Sequence, residues 1–158
     1  MRALVRALLV VVAAAQAELG LWGVAAPRSL FDTYPGFGHH WISALGTYNE
    51  HLIRDFAAAE LGFAVLLACA AIWFERRLVL VAGTAFMAAT LPHFAYHLTT
   101  TDAFSSADNA ASLSGFALEL AVVIAAMTVV QQTPQGESDA PSTTRRAPRA
   151  RSVPSSHV

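Results

Sequence analysis

Four stretches of the chain are apolar for the length that a bilayer demands. They run over about residues 4–26, 52–74, 78–99 and 108–130, each close to the ~20 residues that cross a hydrocarbon core at 1.5 Å per residue. The first ends at Pro27, the second at Glu75-Arg76-Arg77, and the fourth shortly before Thr133-Pro134. This pattern predicts an all-α polytopic membrane protein, an antiparallel four-helix transmembrane bundle occupying residues 1–130. Residues 27–51 form a long loop between the first two spans, with Asn49 placed to cap the second. Residues 131–158 combine four prolines with Ser, Thr and Arg. A segment of that composition buries too little apolar surface to offset its ordering entropy, so a disordered tail is expected. No internal repeat is evident.

Composition sharpens the picture. Of 158 residues, 55% are hydrophobic and only 13% charged, against about one quarter charged in a soluble domain. That excludes an ordinary soluble enzyme, and the lack of a basic face excludes a nucleic-acid binder. The single Cys69 excludes an internal disulfide, dithiol chemistry and a thiolate zinc site. Every basic residue is arginine, and eight of the ten fall on one side of the four spans: Arg2, Arg6, Arg76, Arg77, Arg145, Arg146, Arg149 and Arg151. The positive-inside rule places both termini in the cytoplasm and the 27–51 loop outside, as expected for a multi-pass protein of the cell (inner) membrane. A second reading of the start stays open. Arg2, Arg6, an apolar run and Ala15-Gln16-Ala17 also fit a signal peptide cleaved after Ala17.

The spans are not uniformly apolar. An ionisable side chain at bilayer depth costs at least ~2.5 kcal/mol, so each one is a candidate for function. Glu18 lies about 12 Å and Glu119 about 16 Å below the outer ends of their spans at helical rise. Asp55, Glu60, His93 and His97 fall in the same outer half. Spacings of three and four residues align side chains on one helical face. Asp108, Ser112, Gly115 and Glu119 make one such stripe, and Thr90, His93, His97 and Thr101 another. His51 and Asp55 share a face of the second span, and Glu60 lies nearly opposite His51. Glu18, Glu60, Asp108 and Glu119 are therefore candidate pocket or proton-carrying groups.

His93-x-x-x-His97 is the sharpest local motif. Two imidazoles at this spacing can hold one metal ion, and His51 with Asp55 would complete a His/carboxylate set suited to Zn, Fe or Cu. Haem ligation, a proton relay and plain hydrogen bonding to Thr, Asp or Glu across the bundle are the alternatives. Pro92 removes a backbone donor beside the pair. His39 and His40, next to Trp41 in the aromatic segment Phe31-Asp32-Thr33-Tyr34-Pro35-Gly36-Phe37-Gly38-His39-His40-Trp41, are weaker ligand candidates. That segment reads either as an interfacial aromatic belt or as a lid over a site, with a short helix expected over residues 41–46. Phe86, Phe94, Phe104 and Phe116 read as packing. Gly20 and Gly23, with nearby alanines, supply the small surface that lets membrane helices approach.

Two segments carry a family likeness. Trp41-Ile42-Ser43-Ala44-Leu45-Gly46-Thr47-Tyr48-Asn49-Glu50-His51-Leu52-Ile53-Arg54-Asp55 and Pro92-His93-Phe94-Ala95-Tyr96-His97 resemble a group of small actinobacterial membrane proteins broadly similar to the DoxX-like four-helix families. The resemblance covers roughly residues 30–130 and implies an inner-membrane four-helix protein without assigning an activity. Three functions remain in play. One is a module holding a metal or redox cofactor in an outward-facing His/carboxylate pocket. The second is a non-enzymatic subunit bound to a membrane-protein partner or to its own copies. The third is a small proton-coupled transporter. Beyond these, the lipid bilayer is the only partner expected, and whether the chain is an enzyme is open.

Overall fold

The computed structural model describes residues 1–132, and all regular structure within them is helical. Most of the expected tail, with its four arginines, lies outside the described residues. Four helices are long and apolar enough to cross a membrane: α1 (Arg2–Ala25), α3 (Glu50–Trp73), α4 (Arg76–Thr99) and α5 (Ser106–Gln131). Each begins about two residues before the expected span. A short α2 (Pro27–Thr33) and a 3₁₀ turn (Ser43–Leu45) lie in the loop that the sequence left largely irregular.

The helix ends follow from local chemistry. Ala26 leaves the helical region (φ −141°, ψ 66°) because a following proline disfavours it, and Pro27 then opens α2 at the position where its missing N–H costs nothing. Asn49 caps α3 as expected, its side chain accepting from the Leu52 N–H at 3.1 Å. At the other end Phe74 takes a left-handed conformation (φ 50°), buried under the guanidinium of Arg2. Arg6 donates to the carbonyls of Ala71 and Ile72 at 2.8 and 2.7 Å, satisfying acceptors that the end of α3 leaves open. Ser105 caps α5 reciprocally: its hydroxyl accepts from the Asp108 N–H and donates to the Asp108 carboxylate. α4 continues through Pro92, which offers no N–H to the turn before it.

The long helices pack in a ring, α1 on α3, α3 on α4, α4 on α5 and α5 on α1, while the backbones of α3 and α5 stay apart. The tightest seam is α1 on α3. A Cβ at Gly20 would lie 2.7 Å from Leu61 Cγ and one at Gly23 2.5 Å from Ala57 Cβ, so the small surface expected there is used for close approach. The filled core joins Leu9 in the first half of α1, Leu67 in the second half of α3, Phe86 of α4 and Val123 of α5. The outward faces are apolar as well. Val11, Val65, Val81 and Leu118 are all more than 60% exposed, a pattern that suits hydrocarbon and not water. Dense packing thus occupies one end of the ring. The opposite end is open inside.

Candidate functional site

The opposite end holds a cavity of about 610 Å³, within the size range of small-molecule sites. It exists because α3 and α5 stand diagonally across the ring and the residues between them are small. Ala59, Ala89, Ala111 and Gly115 line it, and a Cβ added at Gly115 would meet nothing within 4 Å. Phe56, Phe63 and Phe116 form much of the apolar wall. The polar groups are few and come from all four long helices: Gln16 of α1, Glu60 of α3, Thr90, His93 and His97 of α4, and Ser112 and Glu119 of α5. Among them Gln16 Nε2 donates to Glu119 Oε1 at 3.0 Å.

The 27–51 loop forms part of the wall at this end. Tyr34, Trp41, Ile42 and Leu45 all line the cavity. The loop holds its shape through a short turn. Trp41 N–H donates to the Tyr34 carbonyl at 2.8 Å, and Gly36, Phe37 and Gly38 between them all take positive φ. Two of the three are glycines, which adopt that region without steric cost; Phe37 at the tip is fully exposed. Asp108 ties the loop to α5: it accepts from Trp41 Nε1 at 2.9 Å and pairs with His39 Nδ1 at 2.7 Å. His40 Nδ1–H donates to the Asp32 carbonyl. Burial lifts the phenol of Tyr34 above its ordinary 10.0, helped by repulsion from the carboxylates of Glu119, Glu18 and Glu60.

The sequence candidates therefore separate into groups. His93 and His97 come together, their Nε2 atoms 3.2 Å apart, with Phe116 against both rings and Phe104 stacked on His97. Glu60 and Glu119 face the same cavity as this pair. His51 and Asp55 do not join them. They pair with each other at 3.3 Å on the surface, 87% and 62% exposed, and line no part of the cavity. Among the described residues no group of three or more His, Cys, Asp or Glu side chains is placed to hold a metal ion. Asp108 serves the loop, not the cavity wall. Glu18 lines a side chamber of about 100 Å³ with Gln16, Trp22, Tyr34 and Glu119.

Gln16, Tyr34 and Trp41 were not singled out as site residues by the sequence. The available signal at Gln16 was an amide inside an apolar span, which also fitted the small-residue pattern of a cleavage site. No family model, curated protein or solved structure matches the chain.

Proposed function

We propose that the protein is a multi-pass inner-membrane protein with four antiparallel spans and cytoplasmic termini, and that the outward half of its bundle binds a small lipophilic molecule carrying a polar head. The antiparallel arrangement is supported by contacts between early residues of one helix and late residues of the next, such as Arg6 with Ala71 and Gly83 with Met127. Orientation rests on the arginine distribution. The kinship with DoxX-like proteins proposed from residues 41–55 and 92–97 concerns this same frame.

The observation that carries the binding reading is the cavity itself. It is bounded by all four long helices and part of an aromatic loop, and it is mostly apolar with a few polar groups, the composition expected of a site for a largely apolar ligand. Native mass spectrometry of protein purified in mild detergent tests it. A lipophilic molecule retained by the wild type and lost in Gly115→Phe, a position where an added Cβ meets nothing within 4 Å, is the expected result. Equal retention by that variant would refute the reading.

A second reading has its own observation. An Nε2–Nε2 separation of 3.2 Å fits two imidazoles on one transition metal with bonds of about 2.0–2.1 Å. The remaining positions would then be filled from the cavity. Cobalt(II) titration followed by its visible spectrum separates the two readings, since a coordinated ion gives bands that His93→Ala and His97→Ala each abolish.

A further inference from the structure

Among the described residues two carboxylates line the cavity, and no arginine does. Lysine is absent from the chain. The arginines of the described residues are engaged elsewhere: Arg28 with Asp32, Arg54 with Glu50, Arg6 with carbonyls at the end of α3, and Arg2 over Phe74. Arg76 and Arg77 start α4, at the packed end of the ring. A carboxylate removed from water without a cation is strongly disfavoured, and among the described residues no arginine lines the cavity with Glu60 and Glu119, which share that lining with His93 and His97.

The hydrogen-bonding balance points the same way. Glu60 and Glu119 contribute four acceptor oxygens, and Gln16 donates to one of them. Trp41 spends its indole N–H on Asp108. His97 is only 8% exposed, lines the cavity, and its buried Nδ1 has no partner among the described residues. Nε2 of His97 is taken up by His93 Nε2 at 3.2 Å, so Nδ1 is the ring nitrogen left for a guest. The walls add Phe56, Phe63, Phe116, Tyr34 and Trp41, and aromatic faces attract cations.

We propose that the ligand class of this chamber is a lipophilic organic cation, such as a hydrophobic amine or onium ion, whose charge is met by Glu60 and Glu119 and whose body lies on the aromatic wall. The assignment rests on the chamber reading and narrows it. Glu60 of α3 and Glu119 of α5 line the same cavity, and the cation is a counter-charge that no arginine of the described residues supplies there.

The test uses two ions of the same shape and opposite charge, tetraphenylphosphonium and tetraphenylborate, titrated calorimetrically into the full-length detergent-purified protein. Saturable binding of the phosphonium at about one per chain is expected. It should weaken at least tenfold in Glu60→Gln and in Glu119→Gln, with borate neither binding nor competing. Equal binding of the borate, unchanged affinity in both Gln variants, or no phosphonium binding by the wild type each overturns the cation assignment. Because the borate comparison uses wild-type protein, a Gln variant that fails to fold does not remove the test. Phosphonium binding that survives Gly115→Phe would instead sink the chamber reading. A retained neutral lipophile, without phosphonium binding, leaves the chamber standing and the cation refuted.

Discussion

Trp41 donates its indole N–H to the carboxylate of Asp108 at 2.9 Å, joining the loop to the first turn of α5. The same carboxylate holds His39 and is held by Ser105. These bonds run to the loop and to the cap of α5 and not to the packed core, so one substitution should free the loop without melting the bundle. In a background where Trp22 and Trp73 are phenylalanine, Asp108→Ala should red-shift Trp41 fluorescence and raise its quenching by acrylamide. Helical circular dichroism should stay unchanged. An unaltered Trp41 spectrum would show that the bond does not hold the loop.

The α1–α3 seam predicts a graded loss of stability. At Gly20 and Gly23 even a methyl group would meet Leu61, Ala57 or Leu30 at under 3 Å, and overpacking costs about 1–3 kcal/mol. Gly20→Leu and Gly23→Leu should lower the thermal midpoint in detergent by several degrees. Gly115→Ala, where an added methyl meets nothing, should not lower it, since alanine suits a helix better than glycine, and serves as the control.

Tyr34 predicts behaviour at alkaline pH. Burial first, and then the carboxylates of Glu119, Glu18 and Glu60, raise its phenol above 10.0. A raised folded value favours the neutral form in the native state. Its contribution to stability is therefore fully present below the unfolded value and lost as pH climbs through the folded one. The tyrosinate absorbance of the wild type minus that of Tyr34→Phe should show a midpoint above 10, and the variant should lose less stability in that alkaline range. A difference titration centred at or below the ordinary value would contradict the burial described.

Orientation can be read with single cysteines. In a Cys69→Ser background, Phe37→Cys at the exposed loop tip should react with a membrane-impermeant maleimide on intact cells. Glu75→Cys, between α3 and α4, should react only after permeabilisation. The reverse pattern would invert the proposed topology.

The four long helices were legible because membrane length and apolarity are local properties, written in consecutive residues. Asn49 was legible for the same reason, since a cap is settled within four residues. The pairing of His93 with His97 followed from helical spacing, as did the placing of Glu60 away from His51. What spacing could not supply was which helix face turns inward. His51 and Asp55 look like natural partners for the His93–His97 pair, yet α3 turns Phe56, Glu60 and Phe63 to the cavity and leaves the other face outside. The loop was harder still. Trp41 meets Asp108 across 67 residues, and no local pattern encodes a contact of that separation. Asp108 consequently looked like one of the polar groups of a pocket when its bonds run to the loop.

The chamber wall also has room to spare. Ala59, Ala89, Ala111 and Gly115 are spread over three helices, and none of them belongs to the packed end of the bundle. Enlarging any one would trim the space by a single side chain while the seams that hold the helices together stay as they are. Under the proposed binding role, the preferred guest can therefore drift in size and shape, one substitution at a time, on a scaffold that need not change to follow it.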